Sequence, residues 1–167
     1  EALFNLGAIY SVGIYVVKDI NKAIYYYKEA SNQNNAKAQY NLGILYYENQ
    51  IDISMHYFTL AANQNYAKAQ IALGVIYYKG EYKKRNVNKA IKYFSLAANQ
   101  KNCQAQFYLG IINLLYESST NKSNIKKSIH FLKLASNQNF SDAQYILGLL
   151  YIEKTNKPKK VIKGIDY

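Results

Sequence analysis

Ala36-Lys37-Ala38-Gln39-Tyr40-Asn41-Leu42-Gly43-Ile44-Leu45-Tyr46-Tyr47 does not stand alone in this chain. AKAQIALGVIYY begins at Ala67, CQAQFYLGIINL at Cys103 and SDAQYILGLLYI at Ser141, and a clipped copy, EALFNLGAIY, opens at Glu1. The Leu-Gly pairs at 6-7, 42-43, 73-74, 109-110 and 147-148 are 36, 31, 36 and 38 residues apart. A period of that length belongs to stacked helix-turn-helix units, each too small to bury its apolar face alone. The expected fold is therefore all-α, a solenoid of antiparallel helix pairs. Its five units span approximately 1–35, 36–66, 67–102, 103–140 and 141–167 of one domain.

A second pattern alternates with the first. Within residues 20–32, Ala23, Tyr27 and Ala30 share one helical face, and the column recurs as Ser54, Phe58, Ala61, then Ala90, Phe94, Ala97, then Ser128, Leu132, Ala135. Small, large, small on one face lets two helices approach closely around one ring. Each of these helices ends alike, at Asn32-Gln33-Asn34, Asn63-Gln64-Asn65, Asn99-Gln100-Lys101 and Asn137-Gln138-Asn139. Asn is the best non-glycine residue for the left-handed position of a helix stop, so Asn34, Asn65 and Asn139 are expected to have positive φ. Lys101 breaks the column and is expected to be strained or differently turned. Connectors between units keep their length, whereas those within units vary, short near 48–51 and longer near 79–87 and 117–125. Val161 to Tyr167 aligns with Val87 to Tyr93, so a partial tenth helix is expected there and both termini read as cut edges.

With Ala-x-x-x-Leu-Gly-x-x-Tyr in the first helix and Lys-Ala-Ile-x-Tyr-Tyr-x-x-Ala in the second, the units resemble Sel-one-like repeats, a branch of the tetratricopeptide superfamily. The resemblance implies a right-handed superhelix, an adaptor that assembles protein complexes, and no catalytic residues. Asn113 departs from it by occupying the column of Tyr10, Tyr46, Tyr77 and Tyr151, and is expected to pack poorly or to use its amide locally. Ser54 stands for the usual Ala.

Composition agrees with a binding role. Half of the 167 residues are apolar, Tyr occurs 19 times and Pro once, which suits helices and argues against disorder. No apolar run reaches membrane-spanning length. One cysteine, Cys103, forms no intrachain disulfide and favours an intracellular home; the Asn121-Lys122-Ser123 and Asn139-Phe140-Ser141 sequons read as chance in so Asn-rich a chain. His56 and His130 lie two repeats apart on a column open to Lys, with no ligand cluster beside them. No nucleophile with its base and no glycine-rich phosphate loop occurs, so neither enzyme activity nor a cofactor is expected.

Two surfaces remain. By the resemblance, the first helices line a concave groove, through positions three before and one and four after each glycine. These are Phe4, Ala8, Ser11; Tyr40, Ile44, Tyr47; Ile71, Val75, Tyr78; Phe107, Ile111, Leu114; and Tyr145, Leu149, Ile152. As a set they suit a hydrophobic peptide or helix, although any one of them could be buried between repeats instead. The whole net charge of +11 lies beyond residue 82, where fifteen Lys or Arg face four acids. Much of it falls in the expected inner connectors: Lys83, Lys84, Arg85; Lys122, Lys126, Lys127; and Lys154, Lys157, Lys159, Lys160. Such runs are either solubilising loops or a basic edge for an acidic protein, nucleic acid or an anionic membrane. The first-ranked function is a protein-interaction scaffold, and the alternative is a nucleic-acid or membrane-surface module.

Overall fold

The computed structural model describes residues 1–80, 84–115 and 122–156, of which 122 and 153–156 are described by backbone alone. Among them lie nine α-helices and no strand: α1 (Ala2–Val12), α2 (Ile20–Asn32), α3 (Ala36–Tyr46), α4 (Ile51–Asn63), α5 (Ala67–Lys79), α6 (Val87–Asn99), α7 (Cys103–Leu115), α8 (Lys122–Ser136) and α9 (Ser141–Asn156). The expected tenth helix falls outside the described residues. The helices fall into two compact units, Glu1–Gln100 with α1–α6 and Lys101–Tyr167 with α7–α9. In the first, the hairpins α1/α2, α3/α4 and α5/α6 stack through α2 on α3 and α4 on α5; in the second, α8 packs between α7 and α9.

Each hairpin closes on the same contact. A methyl group placed on Gly7, Gly43, Gly74 or Gly110 would lie 2.5–2.7 Å from Tyr27, Phe58, Phe94 or Leu132 respectively, so the backbone of the first helix is the floor on which that side chain rests. All four side chains are buried, as are the small residues that flank them, among them Ala23, Ser54, Ala61, Ala90 and Ala97. Tyr27 brings a hydroxyl into this column, and Asn41 Nδ2 donates to it at 3.0 Å while Ser11 Oγ lies 3.3 Å away. Ser54 uses its own hydroxyl by donating to the Gly43 carbonyl at 2.6 Å.

Helix boundaries follow from local chemistry. Asp19, Asn35, Asn86 and Asn102 accept from the backbone N–H three residues on, satisfying one of the free donors at a helix start. At the other end Asn34, Asn65 and Asn139 have φ of 58°, 60° and 60°, and the N–H groups of Asn35, Tyr66 and Phe140 reach back to Ala30, Ala61 and Ala135. That is the Schellman stop expected of the asparagine column. Lys101 has φ 62°, so it adopts the same left-handed conformation with a side chain ill suited to it. The glutamine of this turn also ties the helices of α3/α4, α5/α6 and α7/α8 together by an amide pair. Gln64, Gln100 and Gln138 donate to the buried Gln39, Gln70 and Gln106 at 2.7, 2.9 and 2.9 Å.

Of the remaining columns, one meets its expectation and one expectation needs correction. Tyr46 is half-buried, with its ring stacked on Tyr57 at 9° and Lys28 over it at 5.9 Å. Asn113 turns its amide onto the Leu109 carbonyl at 2.8 Å, the local contact that a Tyr could not make. Helix α8 starts at Lys122, so Lys122, Lys126 and Lys127 belong to a helix and not to a connector; Lys154 likewise lies within α9.

Two stability measurements check this account. Gly43→Ala is expected to lower the free energy of unfolding by about 1–3 kcal/mol through overpacking. Gly148, which among the described residues has nothing within 4 Å of such a methyl, is expected to gain up to about 1 kcal/mol from the same change by helix propensity. Urea titrations of both variants compare them directly. Lys101→Asn is expected to raise the midpoint, gaining about 1 kcal/mol as left-handed strain is relieved, with an unchanged slope.

Candidate functional site

The residues expected to line a groove divide by their distance from the glycine. Three positions before it, Phe4 tilts against Tyr27 with centroids 5.9 Å apart, and Tyr40 lies between Phe58 at 5.6 Å and Tyr66 at 5.4 Å. Phe107 leans on Phe140 at 5.2 Å. This column wedges the second helix against the turn that follows, so its rings are only half-exposed. Ile71 in the same column is 7% exposed and fills core space, because an aliphatic side chain is too short to reach past the hairpin. Tyr145 is 67% exposed, since no described helix covers that face of α9.

One and four positions after the glycine the two units differ. In the first unit Ile44 is 50% exposed, and Ala8, Ser11, Tyr47, Val75 and Tyr78 are partly exposed. Ser11 turns its hydroxyl onto the Ala8 carbonyl at 2.9 Å. In the second unit Ile111 and Leu114 are buried in the core formed with Leu132, Ala135 and Ile146, so they present no surface. Ile152 is exposed and Leu149 partly so. The continuous apolar lining expected of all five repeats is thus interrupted at Ile71, Ile111 and Leu114.

The basic residues are placed unevenly. Lys84 and Arg85 are exposed, and the Arg85 guanidinium sits 4.6 Å from the centre of the Tyr78 ring, so connector charge and first-helix aromatic meet at one point. Lys126 and Lys127 are exposed on the first two turns of α8. Lys83, Lys157, Lys159 and Lys160 lie outside the described residues. His56 and His130 are exposed, Cys103 is half-exposed, and among the described residues no three His, Cys, Asp or Glu gather as metal ligands would.

Two features escaped the sequence reading. Tyrosines three places after the glycine stack nearly parallel on those three after the small residue: Tyr10 on Tyr26 at 10° and Tyr77 on Tyr93 at 3°, besides Tyr46 on Tyr57. Lys22 and Lys89 lie over the outer rings of the first and third stacks at 5.1 and 4.9 Å. The equal offset of Tyr in both halves of the repeat was the available signal. The other feature is an exposed apolar connector after α1, for which Ile14-Tyr15-Val16-Val17 was the signal.

Burial raises the phenols of Tyr40, Tyr66 and Tyr93, and the neighbouring phenols Tyr66 and Tyr77 add to the effect at Tyr40 and Tyr93. A group whose folded value is raised favours the folded state below its unfolded value, and that contribution is lost as pH climbs through the folded one. Thermal melts from neutral pH to beyond the ordinary phenol value of 10.0 are expected to fall steeply above it, less so for Tyr40→Phe/Tyr93→Phe.

Comparison with known proteins comes down to repeats. The family model described as Sel1 repeat matches residues 1–35, 36–66, 67–102, 103–140 and 141–153. No curated protein matches the chain by sequence. Among solved structures, c5321, a protective antigen present in uropathogenic Escherichia coli strains and displaying an SLR fold, matches 91% of this chain at 25% identity and a TM-score of 0.82. A Sel1 repeat protein from Oxalobacter formigenes matches 92% at 28% identity and a TM-score of 0.80. The immunity protein Pa5087 from Pseudomonas aeruginosa matches 81% at 22% identity and a TM-score of 0.50, a likeness of fold alone. The matched part is 33% of the length of c5321 and 64% of the Oxalobacter protein.

Proposed function

Since the chain belongs to the Sel1 repeat family, a family of repeat scaffolds that generally mediate protein–protein interaction, we propose that it holds a peptide or protein partner against the open faces of its first helices. The observation that carries this reading is the row formed by Ile44, Tyr47 and Tyr78 in the first unit, apolar and partly exposed on successive first helices that also carry a core. Burying a face of this kind is what an amphipathic helix or an extended apolar peptide does on docking. Phenol hydroxyls would orient the polar groups of the ligand. Arg85 over Tyr78 extends the row into positive charge, which favours a partner with an acidic residue beside its apolar anchor. No catalytic role is proposed for any residue.

Selection of binders from a random peptide display library against the whole chain tests this reading. Tyr47→Ala or Tyr78→Ala is expected to weaken the selected peptides about thirty-fold or more, the loss of an aromatic anchor contributing roughly 2 kcal/mol, with the helical spectrum unchanged. Neutralising Lys83, Lys84 and Arg85 is expected to slow association and flatten its salt dependence more than it changes dissociation. If binding is abolished by the charge variant and indifferent to both tyrosine variants, the groove reading fails. A basic edge for nucleic acid or an anionic surface then takes its place.

A further inference from the structure

The connectors after α1 and α5 begin and end alike. Each opens on a glycine in the left-handed region, Gly13 at φ 85° and Gly80 at φ 78°. Each returns through a backbone bond of 2.9 Å, from Asp19 N–H to the Tyr10 carbonyl and from Asn86 N–H to that of Tyr77. Each then starts the next helix with a side-chain cap, Asp19 on Lys22 and Asn86 on Lys89. Their residues differ at one place and agree in charge at the next. Val17 in the first connector corresponds by number from the glycine to Lys84 in the second, and Lys18 to Arg85.

The first connector is an apolar tip in water. Tyr15 is 97% exposed and Val17 88%, with Val12 and Ile14 also exposed. Tyr15 moreover holds φ 66°, a region that a bulky residue occupies only at a cost in strain. Gly or Asn fills most left-handed positions of this chain, at Gly13, Asn34, Asn65, Gly80 and Asn139, and among the described residues Lys101 is the other exception. The short connectors reverse the direction of each successive helix, so α1 and α5 run the same way and their connectors leave from corresponding ends of the first unit.

From this arrangement we infer that the connector edge of the first unit docks on an anionic lipid surface, with Ile14, Tyr15 and Val17 entering the interface and Lys18 and Lys84 facing the headgroups. A convex apolar tip needs a matching pocket in a protein partner, whereas the headgroup boundary yields to any such tip and receives a tyrosine ring well. Exposed cations beside it are what a negative leaflet attracts. No helix among the described residues is long and apolar enough to cross a membrane. The inference is independent of the first-helix groove.

Co-sedimentation of the whole chain with phosphatidylcholine vesicles, and with vesicles in which about a third of the lipid is phosphatidylserine, tests it. The chain is expected to partition onto the anionic vesicles and much more weakly onto the neutral ones. Tyr15→Asn/Val17→Ser, in which Asn suits the left-handed turn and so preserves the fold, is expected to lower anionic partitioning at least about tenfold while leaving thermal stability equal or raised. Lys18→Gln/Lys84→Gln is expected to lower it roughly twentyfold on anionic vesicles and to change nothing on neutral ones. Tyr47→Ala is expected to bind vesicles like the parent, which separates this outcome from failure of the groove. The inference is overturned if the parent binds neither vesicle. It is equally overturned if the Tyr15/Val17 variant partitions like the parent, leaving charge alone, or if the tip instead drives self-association that the variant abolishes without any vesicle binding.

Discussion

A ring lying on a glycine is the contact on which the rest of this molecule depends. At Gly7, Gly43 and Gly74 the Cα is the only surface that leaves room for Tyr27, Phe58 and Phe94. Close approach at that one point brings the small residues on either side of the ring, Ala23 and Ala30 or Ser54 and Ala61, against the facing helix and out of water. Gly110 makes the same contact with Leu132, a smaller and branched side chain that leaves more of the pair to be filled by Ile111, Leu114 and Ile146. This is why two positions that are surface elsewhere become core in the second unit.

What the glycine contact does within a hairpin, the Asn-Gln-Asn turn does at its end. The left-handed asparagine reverses the chain in a fixed number of residues, which keeps the connectors between units constant in length. The preceding glutamine then reaches a buried amide on the first helix of its own repeat, Gln64 to Gln39 and Gln138 to Gln106. A buried carboxamide without a partner would be costly, so the amide pair ties the helix stop to the core and penalises a slipped register. The tyrosine stacks serve the opposite end of the three hairpins of the first unit, where ring faces are covered by a neighbouring ring and by a lysine, Lys22, Lys28 or Lys89. With both ends held, the inner connectors are left free to differ, and that is where the chain changes most in length and character.

The binding face we propose is one that this packing leaves uncovered. Tyr40 and Phe107 are committed to wedging their hairpins, whereas Ile44, Tyr47 and Tyr78 keep part of their surface in water on successive or facing turns. The proximity of Arg85 to Tyr78 joins two surfaces that are separate in sequence, so substitutions at either residue are coupled.

By itself the sequence determined the helical class, the repeat period, the glycine and ring columns and the left-handed turns at Asn34, Asn65 and Asn139. All of these follow from short-range geometry repeated often enough to separate signal from accident. Even the strain at Lys101 was legible as a break in a column. Only the tertiary structure decided which apolar residues are surface. Ile44 and Ile111 occupy the same place in their repeats, yet one is exposed and the other buried, because exposure depends on the size of side chains on another helix. It likewise decided that Lys122, Lys126 and Lys127 begin a helix, that Arg85 caps Tyr78, and that Tyr15 stands out in solvent. Each of these is fixed by where a second chain segment lies, and the residue's own neighbours in sequence do not carry that information.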